Sequence, residues 1–389
     1  MRQGLFHRIA GICRFFAVAL ALSAVPLAAD AAELETPARS AMVLDFDTGE
    51  ILFAKNLDMR IEPASMTKMM TIYMLFERLH SGALSLDDTF MVSENAWRKG
   101  GSKMWVEVGK QVKVEDLIHG IIVQSGNDAT IVVAEGLSGT EESFAAEMTR
   151  KARALGMTNT TFRNASGWPD PEHLTTVHDL ARLAEATIRN FPDLYHYYSE
   201  KTFTYSGITQ PNRNPLLYSV PGTDGLKTGH TESAGFGLTA SAKRDGRRLI
   251  LVAAGMDSDK TRASETARIM EWAFREFETY PLFKGGETVA DASVWLGRDA
   301  TVPLTVEKDM RLTMKRTARQ GMQVKAVYET PVPAPIKRGT PVGRLVVSGP
   351  EMKPVEVPLL AGADVPALGL FGRLWAALHY LVFGASVAQ

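Results

Sequence analysis

Cysteine is almost missing from this chain. The single one, Cys13, lies within the first thirty residues, so the rest can form no disulfide framework, thiol nucleophile or Cys-ligated metal site. An excess of one charge is missing too: 43 Lys and Arg stand against 44 Asp and Glu, a balance that gives a nucleic acid nothing to hold. There is no internal repeat and no low-complexity tract. No G-x-S-x-G occurs, and His173 and His178 stand five apart without the H-E-x-x-H pattern. A Ser-His-Asp hydrolase and a zinc peptidase are therefore poor readings, and the expected chemistry needs no metal and no cofactor.

What is present begins with a targeting segment. Arg2, His7, Arg8 and Arg14 form a basic start, residues 15–25 an apolar run too short to cross a bilayer, and Ala29-Asp30-Ala31 an A-x-A cleavage site. Residues 1–31 are expected to be a signal peptide, and the protein to be exported. A core large enough to stabilise the rest without disulfides must follow.

The most informative stretch is Pro63-Ala64-Ser65-Met66-Thr67-Lys68 and the run behind it. Pro63 suits a helix start, and no Gly or Pro follows until Gly82. Met66, Met69, Met70, Ile72, Met74, Leu75, Phe76 and Leu79 cover nearly every side, the mark of a buried helix. Ser65 and Lys68, three apart, share one face of it. Burial disfavours the ammonium and frees the Lys68 amine to act as a base, while Ser65 in the first turn meets the positive helix end. That pairs a nucleophile with its activator.

Around this helix, residues 40–45 and 50–55 read as a hairpin, 89–109 as loop with a glycine-rich tip at 99–103 of the kind that is usually only a mobile turn, and 114–123 and 128–137 as buried helices. Ser125-Gly126-Asn127 makes the tight corner between those two helices. Helices are expected at 141–155 and 178–190, with a loop at 164–176 between them. Residues 235–242 and 248–255 read as adjacent strands joined at Asp245-Gly246, and 261–277 as the helix covering them. From Lys284 to Leu360 the chain changes to short alternating runs separated by Pro, Gly and charged turns, the pattern of a small all-β module. Residues 366–387 are apolar and aromatic, with Trp375, Tyr380 and several Phe suited to a membrane interface.

Singly, S-x-x-K at Ser65, S-x-N at Ser125 and K-T-G at Lys227 are weak signals. In this order, about sixty and then a hundred residues apart, they match the motif set of penicillin-recognising serine enzymes. The chain resembles most the low-molecular-weight penicillin-binding proteins that are D-alanyl-D-alanine carboxypeptidases. Pro63 to Lys68, Ser125 to Ala129 and Asp224-Gly225-Leu226-Lys227-Thr228-Gly229-His230-Thr231 carry the likeness.

That resemblance implies an α/β catalytic domain of the β-lactamase/DD-peptidase type, an antiparallel sheet with a helical cluster, over residues 32–283. A small all-β, sandwich-like domain over 284–362 and a C-terminal amphipathic membrane-anchoring helix over 363–389 complete it. It implies an acyl-enzyme on Ser65, with Lys68 as its base and Ser125 relaying a proton to the leaving amine. Asn127 would fix Lys68 and the substrate amide, Lys227 and Thr228 would hold the terminal carboxylate, and the N–H groups of Ser65 and His230 would form the oxyanion hole. Arg262 stands where the family often has a second carboxylate-binding Arg. The partners implied are the peptidoglycan stem peptide ending in D-Ala-D-Ala, β-lactams as covalent inhibitors, and the outer face of the inner membrane in the periplasm. A DD-endopeptidase, a weak β-lactamase and a non-catalytic wall-binding protein are the rival readings. Gly126 replaces the Asp of the S-D-N form, and Glu172 is the only Glu in the 164–176 loop, which argues against efficient β-lactam hydrolysis.

Overall fold

β-Branched and aliphatic runs bounded by tight turns build a central antiparallel sheet. The structure, a computed structural model, describes residues 34–383, and the architecture below lies in one unit beginning at Thr36; the expected signal peptide falls on residues outside those described. β1 (Ser40–Asp45) and β2 (Ile51–Lys55) form the expected hairpin. β1 is buried along its whole length because it lies inside the sheet, next to a strand from the far end of the domain.

The helical cluster follows. The chain runs through α1 (Lys68–His80), β3 (Thr89–Met91), α2 (Glu94–Arg98), β4 (Gln111–Lys113), α3 (Val114–Ile122), α4 (Asn127–Ser138), α5 (Glu141–Ala154) and α6 (Val177–Asn190). Residues 68–76 of α1 are all buried, as an all-round apolar helix requires, and Gly82 at φ +72° closes it. Thr140 and Thr176 cap α5 and α6 by accepting the N–H of Ser143 and Asp179. The 89–109 stretch is not all loop: β3 pairs with β4, and Ser93 caps the short α2. Three-residue strands are too short to show alternation, so the sequence hid them.

A small hairpin, β5 (Thr202–Tyr205) with β6 (Ile208–Pro211), and the one-turn α7 (Leu216–Ser219) lead into β7 (Thr223–Thr231), β8 (Gly235–Arg244) and β9 (Arg247–Met256). The sheet order is β2-β1-β9-β8-β7. Met42, Leu44, Ile250 and Val252 join the helical core on one face. Ala41 and Ala253 lie on the other with Phe53, whose ring meets Trp272 of α8 (Asp259–Glu276) edge-on at 6.1 Å. Cover on both faces explains why β8 and β9 read as near-continuous apolar runs.

Beyond α8 come β10 (Phe277–Phe283), β11 (Thr288–Trp295), β12 (Thr301–Thr305), β13 (Met310–Lys315), β14 (Gln323–Tyr328), β15 (Val332–Pro333), β16 (Pro341–Ser348) and β17 (Val355–Ala361). β10 pairs with β13, and the other six form a second sheet in the order β14-β16-β17-β12-β11-β15. Met310, Leu312 and Met314 of β13 pack with Val302, Leu345, Val347 and Leu359 of the larger sheet into one core. β10, β12 and β15 were not legible in the sequence, for Pro281, Pro303 and Pro333 interrupt them.

A buried polar network ties this module to the sheet. The Asp45 carboxylate accepts from Arg247 Nε at 2.9 Å and Thr279 Oγ1 at 3.0 Å, and Arg247 Nη1 donates to the Phe277 carbonyl at 2.7 Å. These hydrogen bonds outweigh the burial of the Asp45 carboxyl and hold its pKa below the usual range. The last element, α9 (Leu370–Phe383), leaves Leu370, Phe371, Leu374, Trp375 and Leu378 exposed, so these five side chains are not docked on the core. Among the described residues no helix is long and apolar enough to cross a membrane.

Candidate active site

Ser65 stands in a single 3-10 turn, Ala64–Thr67, which leads into α1. The expected α-helical first turn is thus tighter than predicted. Ala64 takes the left-handed region at φ 47°, a strained conformation for a residue with a Cβ. Two packed neighbours hold it there. β7 crosses close by: a Cβ on Gly229 would lie 2.6 Å from the Pro63 carbonyl oxygen and 3.2 Å from Met66 N. Only glycine lets the K-T-G strand come that near. On the other side the 164–168 loop presses Gly167 onto the Ala64 carbonyl.

The Lys68 side chain is fully buried, and its amine is surrounded by three oxygens. Nζ lies 2.9 Å from Ser65 Oγ, 2.8 Å from Asn127 Oδ1 and 2.7 Å from the carbonyl of Ser166. The amide of Asn127 is oriented by its own Nδ2, which donates to the Gly100 carbonyl at 2.8 Å, so Oδ1 must be the atom facing Lys68. Two of the three oxygens therefore can only accept. A neutral amine has two N–H groups for them and one lone pair left, aimed at the Ser65 hydroxyl. Burial first, then the positive charge of Arg213, pushes Lys68 down to about 7. An amine so placed can take the proton of the hydroxyl beside it.

Asn127 begins α4 directly after the corner. Ser125 takes φ 59° there and is buried, while Asn127 N donates to the Ser102 carbonyl at 2.7 Å. The 99–103 tip is thus no mobile turn. It is the wall that fixes the second motif.

Lys227 and Thr228 are buried on β7, and Lys227 Nζ donates to the Thr228 carbonyl at 3.2 Å. Burial, and then the charges of Lys68, Arg213 and Arg262, hold Lys227 well below the usual lysine range. Arg262 pairs with Asp259, and its guanidinium lies 5.6 Å from the ring of Phe236, on which the exposed His230 stacks at 3.8 Å. The fold thus places Ser65, Lys68 and Asn127 in direct contact, Ser125 at the corner before them, and Lys227, Thr228, His230 and Arg262 along β7 and α8.

Sequence reasoning missed four groups of the site. Arg213, whose Nη1 donates to Ser102 Oγ at 2.6 Å, stands near enough to act on both lysines. The Ser166 and Gly100 carbonyls are backbone groups, which any residue type could supply. His173 is buried under the Ser65 turn: its Nδ1 accepts from Arg163 N at 3.1 Å, so Nε2 carries the proton and donates to Thr67 Oγ1 at 2.9 Å. Burial keeps His173 neutral, with its pKa down to about 4. No group of His, Cys, Asp and Glu that could hold a metal ion occurs among the described residues.

Comparison with known proteins gives a consistent set of likenesses. The family model for D-alanyl-D-alanine carboxypeptidase, Peptidase S11, matches residues 27–258, and that for the penicillin-binding protein 5 C-terminal domain matches residues 277–367. The D-alanyl-D-alanine carboxypeptidase DacC of Escherichia coli K12 is 36% identical over 348 residues, covering 87% of this chain and 86% of the relative. Penicillin binding protein 5 from Haemophilus influenzae superposes with a TM-score of 0.78 at 34% identity, over 86% of this chain and 99% of that one. Penicillin-Binding Protein D2 from Listeria monocytogenes, solved in its ampicillin-bound form, has a TM-score of 0.57 at 31% identity, over 62% of this chain and 99% of that one.

Proposed function

The chain belongs to the Peptidase S11 family of D-alanyl-D-alanine carboxypeptidases, and from its site geometry we propose how it carries out that reaction. It is a serine DD-carboxypeptidase of the penicillin-binding protein 5 type, acting on peptidoglycan and binding penicillin. Ser65 Oγ passes its proton to the Lys68 amine and attacks the penultimate D-alanine carbonyl. The N–H groups of Ser65 and His230 receive the oxyanion. Ser125 relays a proton to the amine of the terminal D-alanine, which leaves, and water then hydrolyses the acyl-enzyme. Asn127 holds Lys68 and the substrate amide, while Lys227, Thr228 and Arg262, joined by Arg213, bind the terminal carboxylate.

The observation that carries this reading is the buried Lys68 amine, 2.9 Å from Ser65 Oγ with its other two contacts on acceptor oxygens. A wall-binding protein without catalysis would have no use for such a group. Ser65→Ala should release no D-alanine from a pentapeptide and take no covalent label from a fluorescent penicillin. A label surviving that substitution would mean that another residue is the nucleophile. Glu172 pairs with Arg163 at 2.6 Å on an exposed edge of the 164–176 loop, so this carboxylate is turned to an ion pair and is not poised to activate a deacylating water. A penicilloyl adduct should therefore leave slowly.

The same reading places the small β module as a spacer or interaction domain and α9 as the anchor. The exposed Leu370, Phe371, Leu374 and Trp375 give α9 an apolar surface suited to lying in the outer face of the inner membrane. Deleting residues 366–389 should move the protein from the membrane pellet to the soluble fraction. If the truncated protein pellets as before, the anchor lies elsewhere.

A further inference from the structure

Three of the six tryptophans in the chain, Trp97, Trp105 and Trp168, stand about half exposed. All three sit on α2 or on the two loops whose carbonyls hold the Lys68–Asn127 pair. Trp168 lies nearest: its six-membered ring edge faces Gly100 and Gly101, and its backbone N–H donates to Asn164 Oδ1 at 2.9 Å.

Trp105 is the unusual one. Its backbone takes φ 71°, where a bulky side chain is strained, yet its indole faces water. The buried Asp128 carboxylate enforces that conformation by accepting three successive N–H groups, from Met104 at 2.8 Å, Trp105 at 2.9 Å and Val106 at 3.2 Å. Lys103 lies over one face of the Trp105 ring, with Nζ 5.8 Å from its centroid and donating to the Trp97 carbonyl at 2.6 Å. A loop held by these hydrogen bonds thus keeps about half of a large indole exposed, with an ammonium beside it.

Given the carboxypeptidase reading, on which this inference rests, the substrate is longer than its reacting end. Four residue lengths of extended stem, about 14 Å, separate the attacked carbonyl from the amino-sugar that carries the stem. Trp105 is three residues along the chain from Ser102, which touches Asn127, so it lies at most about 11 Å from that contact. Trp168, two residues from Ser166, whose carbonyl touches Lys68, is tied closer to the reacting centre. We propose that Trp105, braced by Lys103, is a stacking platform for the amino-sugar of the glycan strand, so that the enzyme recognises sugar as well as peptide. The apolar C–H face of a pyranose suits an indole, and the Lys103 ammonium can meet its hydroxyl and acyl oxygens.

The test compares D-alanine release by the full chain from a disaccharide-pentapeptide and from the same pentapeptide without sugar. The wild type should favour the sugared substrate. Trp105→Ala should raise KM for it about tenfold with kcat unchanged, the sign of lost uniform binding, while the sugar-free peptide shifts less than about twofold. Trp105→Phe should keep most of the preference. Equal losses on both substrates would make Trp105 a loop-positioning residue and overturn the proposal, as would no change on either or a wild type indifferent to the sugar. Release from neither substrate by the wild type would instead refute the carboxypeptidase reading, and this inference with it.

Discussion

Lys68→Ala is acylated by a fluorescent penicillin about 10³-fold more slowly than the wild type, the loss expected when the base is taken from its nucleophile. Removing the amine leaves Ser65 Oγ with no acceptor for its proton and leaves Asn127 Oδ1 and the Ser166 carbonyl facing a cavity. Lys68→Arg should not rescue the rate, because a guanidinium does not give up its proton. The pH dependence identifies the group. With Lys68 at about 7, the amine is an ammonium with no lone pair below that pH. Acylation of the free enzyme should then fall about tenfold per unit as pH drops below 7 and level off above it. That limb should vanish from the residual rate of Lys68→Ala. A variant within tenfold of wild type, or one that keeps the limb, would remove Lys68 from the base role.

The Ser65–Lys68 relation was legible in the sequence because it needs only helical spacing and an apolar surround. The strands on either side of Asp245-Gly246 were legible for a similar reason, since local turn chemistry and buried runs specify them. The hidden parts are those set by long-range packing. Ser166 contributes a carbonyl to Lys68 across a separation of 98 residues, and no side-chain pattern marks a backbone acceptor. Gly100 and Ser102 read as a mobile tip because glycine-rich turns usually are; what immobilises them is Asn127, some 25 residues later. Arg213 lies in Pro211-Asn212-Arg213-Asn214-Pro215, whose turn residues say nothing about where the guanidinium reaches. The 3-10 form of the Ser65 turn follows from its neighbours β7 and Gly167, not from its own residues, which would allow an α-helical start.

Gly167→Ala tests that last dependence. Gly167 sits at φ +82°, and a Cβ there would fall 1.8 Å from the Ala64 carbonyl oxygen and 2.8 Å from Thr67 Oγ1. Neither neighbour can yield easily. Ala64 is already at φ 47°, and Thr67 is fixed by its hydrogen bond to the buried His173. The strain must therefore push the 164–168 loop away from the Ser65 turn, carrying the Ser166 carbonyl off Lys68 Nζ. Stability should fall by about 3 kcal/mol, combining the backbone penalty with overpacking. Penicillin acylation should fall about 10²-fold, the scale expected when catalytic groups are displaced by about 1 Å. Gly139→Ala separates the two contributions. Gly139 has nearly the same φ, +80°, with nothing within 4 Å of the added Cβ. It should cost about 1 kcal/mol of stability and leave acylation unchanged. Thermal melting and stopped-flow labelling of both variants measure this. If Gly167→Ala acylates within about threefold of wild type, well short of the loss expected from a displaced carbonyl, the Ser166 carbonyl is dispensable to the base. If Gly139→Ala loses rate as strongly, the effect is one of global stability and the contact between Gly167 and Ala64 has no part in catalysis.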